Sequence, residues 1–239
     1  WTQLGSDIDG EAAYDFSGVS VSMNSAGDRV AIGAYNNDVT GNLAGHVRVY
    51  GYSNSSWTQL GSDIDGEAAG DNSGVSVSMN SAGDRVAIGA YNNDVTGNLA
   101  GHVRVYGYSN SSWTQLGSDI DGEAAVDYSG QSVSMNSAGD RVAIGAYNND
   151  GTASNAGHVR IYEYSNSSWI QLGSDIDGEA ELDNSGTVSM NSAGDRVAIG
   201  AGSNDGTGTA AGHVRIYGLA NPSFTGPIWH VSQDGSDST

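Results

Sequence analysis

The chain has no cysteine, no lysine, two prolines and only eight basic residues, all arginine, among 239. The missing thiols exclude disulfides, thiol catalysis and thiolate metal sites. Against the arginines stand 28 acidic residues, for a formal net charge of -20. Nucleic acid and anionic membrane both require clustered positive charge, so neither is expected as a partner. Apolar runs of about 18 residues are missing too, so direct membrane insertion is not expected. No signal-peptide pattern opens the chain, and Trp1 begins inside a repeat, as expected of a processed product or a piece of a longer protein.

What the chain does have is glycine, 36 residues of it, and a period. Trp1, Trp57, Trp113 and Trp169 are 56 residues apart each time. The first two units differ only at Tyr14 versus Gly70 and Phe16 versus Asn72. The fourth drops one residue between Asp183 and Met190. A fixed period of this length decides the architecture before any local signal does.

Inside a unit the local signals are those of strands. Val19, Val21 and Met23 alternate with Ser20 and Ser22. Asn24 to Asp28 makes a short glycine-bearing connection to Arg29–Ala34, giving a hairpin. A polar stretch leads to a third strand at His46–Tyr50, with Val47 and Val49 on one face and His46, Arg48 and Tyr50 on the other. Trp57 to Gly61 reads as an amphipathic fourth strand ending at Ser62-Asp63. No segment has a helical period. The expected fold class is all-β, a β-propeller of four-stranded antiparallel blades built from four 56-residue repeats over residues 1–220, with a tail at 221–239. The chain opens on a fourth-type strand, Trp1 to Asp7, and its last repeat strand, His213 to Tyr217, is of the third type. Pairing of these two would close a ring and remove two sheet edges. The other reading is that the four units are cut from a bigger ring.

The segments Ser17 to Met23, Arg29 to Ala34 and Ala44 to Tyr50, followed by Trp57, resemble the FG-GAP repeat of integrin-alpha-like β-propellers. That resemblance covers roughly residues 1–220. It implies an extracellular adhesion, ligand-binding or scaffold module, usually of seven blades. The chain departs from the family in showing four units, in having Ser17, Ser73, Ser129 and Ser185 where the name-giving Phe stands, and in lacking the calcium loop between the first two strands. The tail from Trp229 to Thr239 resembles the opening of a pectate-lyase-like parallel β-helix domain, which implies a multidomain surface protein.

Several constellations are candidates for chemistry. Asp7, Asp9, Glu11 and Asp15 space carboxylates so that a turning loop would converge them on a hard cation such as Ca2+. The spacing recurs at Asp63, Asp65, Glu67 and Asp71, at Asp119, Asp121, Glu123 and Asp127, and at Asp175, Asp177, Glu179 and Asp183. The alternative is turn capping by Asp9 and Asp15 with the remainder solvated. Paired carboxylates also suit glycoside hydrolysis, but catalytic acids need dissimilar surroundings and these are copied four times. His46, His102, His158 and His213 recur at one strand position, either as ligands around a central channel or as buried sheet-face residues. Arg29, Arg48 and their equivalents are expected to pair with Asp28, Asp38 or other acids. The repeated tryptophans are expected in inter-blade packing, with sugar stacking as the alternative.

The expected function is therefore a non-enzymatic extracellular adhesion or structural scaffold module at a cell surface. Expected partners are surface or matrix proteins, glycans, or further copies of the chain. A lectin-like propeller and an accessory domain of a secreted hydrolase are the alternatives. Asn54, Asn110 and Asn166 are N-glycosylation acceptors at one phase of the repeat. Expression through a eukaryotic secretory route should load glycans there, and intact mass before and after glycosidase treatment checks it. An unshifted mass would remove the expectation.

Overall fold

A computed structural model describes residues 1–219. Residues 220–239, including the tail expected to lead towards a further domain, lie outside them. Every regular element among the described residues is a strand. In the first blade β1 (Ser20–Met23) pairs with β2 (Arg29–Ala34), β2 with β3 (His46–Ser53), and β3 carries both β4 (Ser56–Gln59) and β5 (Ile64–Asp65), all antiparallel. The second blade repeats this with β6 (Ser76–Met79), β7 (Arg85–Ala90), β8 (His102–Ser109), β9 (Ser112–Gln115) and β10 (Ile120–Asp121). In the third the strands are β11 (Ser132–Met135), β12 (Arg141–Ala146), β13 (His158–Ser165), β14 (Ser168–Gln171) and β15 (Ile176–Asp177). The fourth has three, β16 (Ser185–Met190), β17 (Arg196–Ala201) and β18 (His213–Gly218).

The strand boundaries follow from local chemistry. The third strand runs past the expected Tyr50 to Ser53, because Asn54 and Ser55 take left-handed φ angles of 49° and 62° and close a two-residue hairpin onto β4. Positive φ at both central residues suits the right-handed twist of the flanking strands. The fourth strand is broken rather than continuous. Leu60 N–H still donates to the Val49 carbonyl at 2.7 Å, but Gly61 turns at φ 75° and pairing resumes only at Ile64.

The core lies between blades. Ala31, Val47, Val49 and Ile64 of the first blade pack on Met79, Val86 and Ile88 of the second. Corresponding clusters join the second to the third and the third to the fourth. The period-2 pattern thus serves a sheet buried on both faces in the middle of the array, with Val86 on one face of the second blade and Val103 on the other at 0% exposure. Near the hub the first strands interlock. Met79 N–H donates to Ser22 Oγ at 2.9 Å, and Ser25, Ser81 and Ser137 each donate their N–H to the carbonyl of the equivalent serine one blade on. Arg29 reaches the next blade, donating from Nη1 to the Gly83 carbonyl at 3.0 Å with its guanidinium 5.7 Å from the Tyr108 ring centre. Of the expected partners, Asp28 and Asp38 instead accept from Asn24 and from the Leu43 amide, whereas other acids do pair, Glu11 with Arg48 at 3.6 Å and Glu163 with Arg141 at 2.7 Å.

Among the described residues the ring does not close on itself. Residues 1–7 form no strand, and among the described residues β18 pairs only with β17. The opening segment lies beside the first blade, where Trp57 Nε1 donates to the Leu4 carbonyl at 2.8 Å. Two faces remain open in consequence. Val21 and Met23 are 64% and 53% exposed on the first blade, and Val214 and Ile216 are 65% and 67% exposed on the fourth.

Glycine sets the blade spacing. A methyl group on Gly89 would collide with the Gly130 carbonyl of the next blade, whereas on Gly200 it would find only Thr187 Cβ at 3.5 Å. Gly89→Ala should therefore cost at least ~2 kcal/mol by overpacking, and Gly200→Ala should be close to neutral in the monomer. Denaturant unfolding of the two variants checks this; equal costs would mean that blade contact is not what the glycine serves.

Candidate functional site

The residue types expected to carry chemistry meet at one place per blade. His102 opens β8, with neighbouring Asp121 of β10 in register beside it. Asp119 precedes β10, and Glu67 comes from the acidic segment that leads into the second blade. The ligand-type atoms of Glu67, His102 and Asp119 lie within 4.8 Å of one another, as do those of Glu11, His46 and Asp63 and those of Glu123, His158 and Asp175. His102 Nδ1 is 3.9 Å from Glu67 Oε2 and 4.0 Å from Asp119 Oδ2. The fourth blade supplies His213 and Glu179 at 3.7 Å.

The imidazole is sealed in while the acids reach water. His46 and His102 are 1% and 0% exposed, and neither ring nitrogen of either one has a hydrogen-bond partner. Burial, and then the Arg104 charge, push His102 down to about 4 against the opposing pull of Asp119. His158 is lowered for the same leading reason. Burial also raises Glu67, and raises Asp65 with help from the Asp63 charge. The second and third blades thus each hold a neutral imidazole facing two carboxylates. The outer oxygens of those carboxylates are held elsewhere: Gln115 Nε2 donates to Asp119 Oδ1 at 2.6 Å, and Arg104 Nη1 lies 3.5 Å from Glu67 Oε1. Arg104 is fixed in turn, donating from Nη2 to the Asp65 carbonyl at 2.6 Å.

This arrangement divides the carboxylates that were expected to share one ion. Of the unit containing Asp63, Asp65, Glu67 and Asp71, Asp63 faces His46 of the first blade and Glu67 faces His102 of the second. Asp65 sits in β5 opposite His46. Asp71 is buried and committed, its Oδ2 accepting from the Ala68 N–H and from Asn93 Nδ2, both at 3.1 Å. Asp15, Asp127 and Asp183 make the same pair of bonds. Asp9 contributes its carbonyl to Arg48. The residues at Asp7, Asp119 and Asp175 are held by Gln3, Gln115 and Gln171, and those at Asp121 and Asp177 present their carbonyls to Arg160 and Arg215.

Trp113 and Trp169 lie between blades and half-buried, Trp57 packs against the opening segment, and Trp1, also expected between blades, is fully exposed. Trp113 Nε1 donates to the Leu60 carbonyl at 2.7 Å, and its ring tilts against Tyr108 at 4.9 Å. Beside it opens a depression of about 190 Å³ lined by Asp63, Asp65, Tyr106 and Trp113, with copies of about 200 and 300 Å³ at Trp57 and Trp169. The sequon residues Asn54, Asn110 and Asn166 sit exposed at the hairpin tips.

Solved structures with the same arrangement of strands are β-propellers. Over 84% of this chain and 40% of the other, TolB from Acinetobacter baumannii superposes with a TM-score of 0.50 at 12% identity. Sqt1 of Saccharomyces cerevisiae does so over 81% and 44% with a TM-score of 0.50 at 14% identity. The β-propeller domain of Cps50 (Swd1) from Myceliophteria thermophila matches over 84% and 53% with a TM-score of 0.49 at 12% identity. The fold is a β-propeller array, and the chain spans about half the length of these structures. Likeness at such identity carries the fold alone. Neither a protein-family model nor a curated protein matches the sequence.

Asp71 gives the acidic segment a structural test. Asp71→Ala would leave the buried Asn93 amide without its acceptor, and unfolding should become easier by ~1–3 kcal/mol. Chemical denaturation measures it, and an unchanged midpoint would mean that the segment is held by other contacts.

Proposed function

We propose that the chain is a non-enzymatic scaffold module of the integrin-alpha-like kind, acting outside the cell and assembling through its two open blade faces with further copies of itself. One observation carries this reading. The face that the first blade leaves open is the same surface by which the second, third and fourth dock, and the fourth leaves open the surface that receives them. Val21 and Met23 match Val77 and Met79, while Val214 and Ile216 match Val47 and Val49. Hydrogen-bonding groups are complementary as well. Ser189 on the fourth blade corresponds to Ser22, which accepts from Met79, and the Met23 N–H on the first corresponds to that donor.

A contact between different ends of the molecule is heterologous, and it closes a ring only if the rotation allows. Two copies of four blades make eight, within the ~4–8 blades known for propellers. The same geometry argues against catalysis, since the polar clusters recur from blade to blade in one form and no environment singles out one acid. Adhesion to surface or matrix partners fits an acidic exterior with exposed sequons.

The depressions beside Trp57, Trp113 and Trp169 favour a second reading, as glycan subsites. An aromatic face flanked by carboxylates and hydroxyls suits a sugar ring. A glycan array would show it as sugar binding that weakens on Trp113→Ala.

Sedimentation equilibrium tests the first reading. The wild-type chain should run heavier than a monomer at ~100 μM, and Val21→Asp or Gly200→Ala should each return it to monomer while leaving the circular dichroism unchanged. A wild-type chain that stays monomeric contradicts the proposal.

A further inference from the structure

The His–Glu–Asp cluster of each complete blade has a geometry that neither a hydrogen bond nor an ion pair explains. His102 Nδ1 has no hydrogen-bond partner and is fully buried, yet it points between two carboxylate oxygens at 3.9 and 4.0 Å. A charge-assisted hydrogen bond would draw nitrogen and oxygen to about 2.7–2.9 Å. The same wide triangle appears at His46, with both oxygens at 3.8 Å, and at His158, at 3.7 and 3.9 Å.

We infer that each of these clusters is a binding site for a divalent transition-metal cation of the zinc class, with His102 Nδ1, Glu67 Oε2 and Asp119 Oδ2 as ligands in the second blade. Tetrahedral ligands at bonds of about 2.0–2.1 Å stand about 3.4 Å apart. The two nitrogen–oxygen separations exceed that by about half an ångström and the two carboxylate oxygens stand within 4.8 Å of each other, gaps that rotation of the two acids closes, because Glu67 is 39% and Asp119 26% exposed. Their exposure also gives an entry path and leaves a fourth position to water.

The surroundings prepare the ligands. Gln115 and Arg104 hold the outer carboxylate oxygens and so aim the inner ones at the imidazole, the role that partners outside the ligand set play in known metal sites. Two carboxylates against one guanidinium leave a net negative charge for a cation to neutralise. Calcium is the poorer occupant, since it takes six to eight oxygens, whereas imidazole nitrogen with two carboxylates suits zinc and its neighbours. The fourth blade offers His213 and Glu179 without a third ligand among the described residues, so three sites are expected.

The test is titration of Zn2+ into the chelator-stripped full chain by calorimetry, with Co2+ absorption as a second probe. Three equivalents should bind saturably, Co2+ should give the visible bands of a four-coordinate nitrogen–oxygen site, and the unfolding temperature should rise with metal. Asp119→Asn and Glu67→Gln, both at solvent-reaching positions, should each remove one equivalent of three. Several results would overturn the assignment: no saturable binding, three equivalents retained in both variants, or displacement of Zn2+ by equimolar Ca2+.

Discussion

The contact on which everything else depends is that of one blade's apolar face on the next. A sheet of strands no longer than eight residues is too thin to bury much by itself. In the middle of the array both faces are covered, and side chains such as Val86, Val103, Ile88 and Ile144 reach 0–1% exposure. Each such burial is worth about 1.5–3 kcal/mol. At the two ends Met23, Val214 and Ile216, whose counterparts Met79, Val47 and Val49 are buried, remain in water, so stability is distributed along the array as in other stacked repeats. Polar groups follow the same rule. Serine hydroxyls and amides at the hub, Arg29 to Gly83 and Trp113 to Leu60 all cross from blade to blade. Removing one neighbour therefore strands both apolar and hydrogen-bonding surface.

Much of this was legible in the sequence because period and alternation are direct projections of a repeated sheet. The 56-residue spacing of tryptophans, the Val–Ser alternation and the glycine-bearing turns gave the strands and their antiparallel order. The second strand, Arg29–Ala34, has the boundaries that its pattern implies. The break after Gln59 was not legible, because Trp57 to Asp63 reads as one amphipathic run and the departure rests on the φ of Gly61. Nor was the fate of Trp1 to Asp7. A strand forms only where a partner edge is presented, and the segment instead packs on the first blade through the Leu4 carbonyl.

The site was half legible for a related reason. Histidines and acids were each visible as repeats, but they were read as separate sets. Glu11, His46 and Asp63 straddle the boundary between the first and second repeats, and their meeting depends on how the acidic segment passes between blades. Asp63 and Glu67, four residues apart, therefore serve different histidines. A spacing argument cannot separate that from convergence on one ion. Asp71 illustrates the converse. Its position looked like one more ligand, and its burial beside Asn93 makes it a fastener between two loops.

The central claim is that blade-to-blade burial supplies the stability, and native-state hydrogen exchange measured at a dilution that keeps the chain monomeric tests it most directly. Amides of β7, β8, β12 and β13, inside the array, should exchange most slowly, and those of β1 and β18 at the open ends most quickly. Uniform protection across the four blades, or slowest exchange at the ends, would contradict the account.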